Sequence, residues 1–339
     1  MNFEHFQVWR RQHILDGTAP IDGGETNVYG ALAHLAMPVP PVDERRIYRC
    51  DLARAWLARY GYPTQWSRRA LVCGGVRHAL ALIFDELARR GAVVWLPSDI
   101  YPVYGELARA AGIEPRTYDT LPLPLFPQEP AGSGEEVLLV ANPLKPLGRY
   151  LGEDEIAALR TWLAGSPERN VIIDTVYDLD TPLHATTRAL YETGQAIVLH
   201  SLTKGWLAPR TFGVALLGEH HAWLEPVFRK AAPTQLQLRR AEYALLHDAD
   251  KPSQVAAELR ERQRRMLDMM PEALRRARVL PSSRGIEHTY FFAVDLPAEV
   301  VLRDHGWLAV PASAFGAPHW QGSVITSLAP VFAPQGAIA

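Results

Sequence analysis

Apolar and polar residues follow two regimes along this chain. From about residue 70, short β-branched or wholly apolar runs alternate with stretches whose apolar residues recur at helical spacing. That order predicts an α/β fold in which a mostly parallel sheet is covered by helices. Residues 71–73 read as a first strand, followed by Gly74 and Gly75. Val76, Leu80, Ile83, Phe84 and Leu87 then mark one face of a helix, which Gly91 ends by admitting a left-handed backbone. Residues 92–96 predict the next strand, 106–111 a helix, and Glu136–Ala141 a strand buried on both faces. An amphipathic stretch over 153–163 precedes three more strands at 171–174, Ala196–Ser201 and Gly213–Leu217. Residues 120–134, rich in Pro and Gly, predict a surface loop.

Near residue 219 the pattern becomes helical and stays so to about 280. Ser253 is a candidate cap for a long helix carrying Val255, Leu259, Met266 and Met270 on one stripe. Its Arg-Glu-Arg-Gln-Arg-Arg segment reads as a solvated face. Strand-like runs at 289–294, 308–311 and 324–328 predict a small α+β lobe.

Composition narrows the function. The 339 residues are 48% hydrophobic and 21% charged, with a net charge of -2. Near-neutrality argues against a nucleic-acid binder held by phosphate attraction. Two cysteines cannot staple a chain of this length, which points to a reducing compartment. With no apolar run of about 18 residues and no apolar leader core, a soluble cytoplasmic protein without a membrane partner is expected. Of the 35 basic residues only Lys145, Lys204, Lys230 and Lys251 are lysines. Each matters because a lysine, unlike an arginine, can become a neutral amine nucleophile.

Lys204 lies just past a buried strand in His200-Ser-Leu-Thr-Lys-Gly-Trp-Leu-Ala-Pro-Arg-Thr-Phe-Gly213. Desolvation beside another cation would lower its pKa. Asp174 closes the strand in Val171-Ile-Ile-Asp-Thr-Val-Tyr177, at the end where open α/β sheets bind ligands. Cys73-Gly-Gly-Val-Arg-His-Ala-Leu80 joins a strand to a helix, where free amides and the helix dipole favour a phosphate. Pro97-Ser-Asp-Ile-Tyr-Pro-Val-Tyr104 and Ala141-Asn-Pro-Leu-Lys-Pro-Leu-Gly148 follow two further strands.

Taken in order, these five segments resemble the motifs of fold-type I pyridoxal-phosphate enzymes, the aminotransferase class I/II family, as in aspartate and histidinol-phosphate aminotransferases. The resemblance spans roughly residues 70 to 217. It implies a seven-stranded-type, mostly parallel sheet with a smaller α+β domain, and a homodimer. The corresponding division is an N-terminal arm with part of the small domain over 1–45, a large cofactor domain over 46–250 and a small domain over 251–339. The implied cofactor is pyridoxal 5'-phosphate, with Lys204 as its Schiff-base residue and general base. Asp174 would pair with the ring nitrogen, Tyr177 with the phenolic oxygen, and Tyr101 would stack on the ring. Gly75, Val76, Arg77, Ser201 and Arg210 would hold the phosphate, and Asn142 and Lys145 would stand at the ring edge.

Two departures bear on function. Lys145 stands where the family has its second asparagine, a cation in place of a neutral donor. Ile325 or Thr326 stands where the family's arginine clamps the substrate carboxylate. A weaker C-terminal similarity, Val310-Pro-Ala-Ser-Ala-Phe-Gly316, has Ala312 in place of glycine. Either Lys145 or Arg284 takes over the clamp, or the substrate is not held as an ordinary α-amino acid. The resemblance implies transamination of an amino acid or related amine as the expected activity. The alternatives are a lyase, cyclase or decarboxylase with the same cofactor, and a non-catalytic binding protein on this scaffold.

Overall fold

Successive residues of the central strands pack into different apolar clusters, so the sheet they form has to be covered on both faces. The computed structural model describes residues 1–19, 21–40, 45–100, 102–128, 134–179, 181–208, 212–279, 289–317 and 319–329. Among these residues the main sheet has seven strands. They are β1 (Ala70–Cys73), β2 (Val93–Pro97), β3 (Arg116–Tyr118), β4 (Glu136–Ala141), β5 (Arg169–Asp174), β6 (Ala196–Ser201) and β7 (Gly213–Leu217). The spatial order is β1-β7-β6-β5-β4-β2-β3, and only β7 runs against its neighbours.

The helices that matter to the site are α1 (Phe3–Leu15), α2 (Arg49–Arg59), α3 (Val76–Arg90), α4 (Val103–Ala110), α5 (Glu153–Ala164), α6 (Leu202–Gly205), α7 (Gln235–Leu246) and α8 (Lys251–Met269). On one face of the sheet Val72, Leu138 and Ile173 pack with Trp56 of α2 and Trp162 of α5. On the other, Leu71, Leu139 and Ile172 meet Leu80, Ile83, Phe84 and Leu87 of α3. Burial of each of these α3 side chains contributes roughly 1.5–3 kcal/mol. Gly91 ends α3 at φ +67°, as the pattern required.

A three-stranded antiparallel sheet forms the smaller layer: β8 (Phe291–Val294), β9 (Val310–Pro311) and β10 (Ser323–Thr326), in the order β9-β10-β8. Ile21–Asp22 pairs in parallel with Trp307–Leu308, so the N-terminal segment is stitched to the C-terminal part of the chain. Phe6 of α1 joins Val255 and Leu259 of α8 and Val310 and Val324 of the small sheet in one apolar cluster.

Several boundaries differ from expectation. The long helix α8 begins at Lys251 after Asp250, not at a Ser253 cap, because Pro252 fits a first turn where no amide partner is needed. α4 starts at Val103, directly after Pro102. The run 308–311 divides between two ladders, at Trp307–Leu308 and β9. Edge strand β3 and helices α1 and α2 were not anticipated. Arg264 and Arg265 of α8 do face solvent, paired with Glu261 and Asp268 on their own helix, whereas Arg262 turns inward, pairing with Glu258 and donating to the carbonyls of Leu328 and Ala31. Residues 120–128 carry no helix or strand, as expected of a loop, and 129–133 lie outside the described residues.

Candidate active site

The chemistry-bearing turns follow strands β1, β4, β5 and β6, and register brings them together: Ala141 lies beside Asp174, and Asp174 beside Leu199. They open into a cavity of about 680 Å³. Gly75, Val76, Arg77, Lys145, Asp174, Tyr177 and Lys204 all line it. The small sheet closes the far side with Phe291, Val324 and Thr326, and the N-terminal segment adds Phe3, Thr26 and Tyr29.

The turn between β1 and α3 is shaped as an anion cradle. Gly75 caps α3 at φ +112° and offers no side-chain cap, so the first-turn amides face outward without an intrahelical acceptor. Gly213, paired with Cys73, presses on this turn: a β-carbon there would come within 2.7 Å of the Gly75 α-carbon. A β-carbon on Gly75 would lie 3.7 Å from the Ser201 hydroxyl, so Ser201 packs close behind this turn, but it is buried and is not among the cavity-lining residues. His78 accepts the Gly74 amide at 2.9 Å through Nδ1, and burial lowers its pKa. Arg210 and Tyr101, two expected cofactor contacts, lie outside the described residues, as does Arg284.

Lys204 sits in the short helix α6, whose Thr203 amide is capped by Ser201 Oγ at 3.0 Å. Leu207 then takes the left-handed φ of +50°, a costly conformation for a bulky side chain that turns the chain out of α6. The next anchor is Trp206, whose indole donates to the carbonyls of Ala244 and Asp248 and pins the turn to α7. The Lys204 ammonium lies 4.5 Å from the Tyr29 ring centroid and 5.3 Å from that of Tyr177. Burial lowers its pKa to about 8, and Lys145 and Arg77 add repulsion that Asp174 partly offsets.

Asp174 is fully engaged. Oδ1 accepts from the Val176 amide at 2.9 Å, and Oδ2 from Lys145 Nζ at 3.1 Å and from the Tyr104 hydroxyl. Tyr104 belongs to the same Tyr-Pro-Val-Tyr segment in which Tyr101 was singled out. It is buried in α4, where helical spacing turns its ring inward. Tyr177 does line the cavity, but its hydroxyl is bonded to that of Tyr290 at 2.8 Å. Neither tyrosine was assigned a role from sequence: Tyr104 lies in a recognised segment but only the fold shows its hydroxyl on Asp174, and Tyr290 comes from a remote segment that the tertiary fold brings to Tyr177.

Asn142 is a correction. Its amide donates to the hydroxyls of Thr186 and Thr187 at 2.9 Å each, and its oxygen accepts from the Leu151 amide at 3.0 Å. It is fully buried behind the turn, anchoring it, and is not among the cavity-lining residues. Strand alternation also resolves the choice between Ile325 and Thr326. Thr326 faces the cavity, whereas Ile325 packs with Met266 and Phe292 on the opposite side.

The family model described as aminotransferase class I and II matches residues 39–324. A probable aminotransferase of Arabidopsis thaliana is 30% identical over 149 residues, which is 41% of this chain and 33% of that protein. An S-alkyl-thiohydroximate lyase of the same plant is 26% identical over 145 residues, 40% of this chain and 31% of that protein. The aligned region thus spans about a third of the length of these curated relatives. A solved probable N-succinyldiaminopimelate aminotransferase from Thermus thermophilus superposes with a TM-score of 0.67 at 21% identity, covering 97% of this chain and 96% of that one.

Proposed function

The chain belongs to the aminotransferase class I and II family, and from that premise we propose that it is a pyridoxal-phosphate-dependent aminotransferase acting on an amino acid or related amine. The observation that carries the reading is one cavity shared by Lys204, Asp174 and the uncapped N-terminus of α3. These groups fit the cofactor. The first-turn amides and Arg77 suit its phosphate, Asp174 suits a protonated ring nitrogen, and Lys204 suits its carbonyl carbon.

When bound, pyridoxal phosphate supplies an electron-accepting ring that takes up charge from the amine-bearing carbon. The chain supplies the rest. Asp174, a buried carboxylate aimed into the cavity, would favour positive charge at the ring nitrogen. Lys204 Nζ, brought toward neutrality by burial, would take up the proton of the amine-bearing substrate carbon as general base. The aromatic lining from Phe3, Tyr29, Phe291 and Phe315 excludes water from that transfer. A cytoplasmic homodimer completes the proposal; the two free thiols, Cys50 and Cys73, suit a reducing compartment.

A second reading, a lyase, is favoured by Thr326 in place of an arginine and by the thiohydroximate lyase among the relatives. A substrate panel followed by absorbance and mass spectrometry separates the two. Amino-group transfer to the cofactor with release of a keto product establishes transamination. Turnover that needs no amino acceptor and leaves the cofactor unchanged establishes the lyase instead.

A further inference from the structure

We propose that Lys145 is an anion clamp for the substrate, released for that task by the cofactor itself; this rests on the pyridoxal-phosphate reading above. Lys145 and a ring nitrogen would compete for one oxygen. Asp174 Oδ1 is held by the Val176 amide, and Oδ2 carries both the Lys145 ammonium and the Tyr104 hydroxyl. A ring nitrogen that takes this carboxylate leaves Lys145 without its counter-ion. An ammonium whose side chain is 16% exposed cannot recover full hydration there, so it seeks another anion. Its flexible four-carbon stem lets it reach one without moving the backbone. The turn that carries it is held by the Gly148 amide on the Leu144 carbonyl at 2.9 Å and the Leu144 amide on the Arg149 carbonyl at 2.7 Å.

The opposite wall explains why such a clamp is needed. On β10, Val324 and Thr326 face the cavity, and the Thr326 hydroxyl is already donated to the Glu25 carbonyl at 2.6 Å. Among the described residues, the lysines and arginines lining the cavity are Arg77, Lys145 and Lys204. Arg77 belongs to the first turn of α3, at the phosphate cradle, and Lys204 is committed to the cofactor carbon. Among the described residues Lys145 is the remaining cation. The positive charge that the family places on the small-sheet wall has moved across the cavity to the turn after β4. With Phe3, Tyr29, Phe291 and Phe315 around it, the ligand class is an amine bearing a carboxylate and an apolar body.

The test uses 3-phenylpropionate, a carboxylate with an apolar body and no reactive amine, titrated calorimetrically into the holoenzyme and into cofactor-free protein. The holoenzyme is expected to bind it about tenfold or more tightly than the cofactor-free protein does, the worth of one charge-assisted contact. Lys145→Asn should lose about that factor in the holoenzyme while retaining the visible cofactor band, and Lys145→Arg should keep most of the affinity. Equal binding with and without cofactor overturns the proposal, as does a Lys145→Asn holoenzyme that binds like wild type. A wild-type protein that takes up no cofactor overturns the underlying reading and the clamp together. A normal cofactor band with unchanged binding in the variant removes the clamp alone.

Discussion

Lys204 and Lys145 present their ammonium groups to the same Tyr177 ring, 5.3 and 4.9 Å from its centroid. Burial desolvates the Lys204 amine and, with the repulsion of Lys145 across that ring added, pushes its pKa down to about 8. Its neutral, nucleophilic form therefore grows as pH rises through about 8, instead of through the ordinary lysine range. In cofactor-free protein, the initial rate of pyridoxal phosphate capture should follow that titration. Lys145→Met removes a like charge and should move the midpoint upward. A wild-type midpoint at the ordinary lysine value would refute this account of Lys204.

Gly213 and Gly75 define the second expectation. A β-carbon on Gly213 would stand 2.7 Å from the Gly75 α-carbon and 2.8 Å from the His200 carbonyl, both backbone atoms that cannot rotate away. Gly213→Ala should therefore spread the cradle and cost about 1–3 kcal/mol in stability, the usual range for overpacking. Cofactor affinity, measured by absorbance titration, should fall with it. A variant with wild-type affinity would show that the turn adapts without loss.

Asn142 provides a contrasting case, because its side chain is committed to Thr186, Thr187 and the Leu151 amide. Removing it strands these buried partners, at about 1–3 kcal/mol per unsatisfied group. Asn142→Ala is thus expected to lower the unfolding midpoint clearly while leaving the cofactor absorbance per folded protein unchanged. Loss of cofactor from a protein of undiminished stability would restore the direct cofactor role that its motif position suggested.

The contrast between Asn142 and Lys204 shows what the sequence made legible. The largely apolar runs Glu136–Ala141 and Ala196–Ser201 read correctly to the residue, because burial on both faces keeps the apolar stretch unbroken up to the polar residues at one end, Glu136 in the first and His200 and Ser201 in the second. That Lys204, Asp174 and Gly75 would share one cavity was legible because each stands at or within three residues of the end of a buried strand. Arg116–Tyr118 was not, since an edge strand of three residues with two exposed has too little periodicity to stand out. Tyr29 and Tyr290 escaped for another reason, since they reach the site from segments outside the five motifs, while Tyr104 lies inside a recognised segment and only the helix it enters turns it to Asp174. Motif position alone could not show which way Asn142 points, because that depends on Thr186 and Thr187 beyond the next strand.

Acid should destabilise the fold through histidines kept neutral in the core. Trp56 donates its indole N–H to His200 Nδ1 at 3.0 Å, which leaves the ring proton on Nε2, toward the Asp178 carbonyl at 3.4 Å. Burial lowers the His200 pKa to about 4, and burial likewise brings His221, 2.9 Å from Asn170 Oδ1, to about 4. Below the ordinary value of 6.5 the unfolded chain protonates both rings while the folded chain does not. Stability is thus intact above about pH 6.5 and declines as pH falls toward 4, by at most about 1.4 kcal/mol per pH unit for each ring. Urea midpoints at pH 7, 6 and 5 should fall in that order. His200→Gln, whose amide oxygen can still accept from Trp56, should flatten the decline by about half, the share of one of two equal titrations. An unchanged pH slope in that variant would mean that His200 is protonated in the fold and that the Trp56 bond does not hold it neutral.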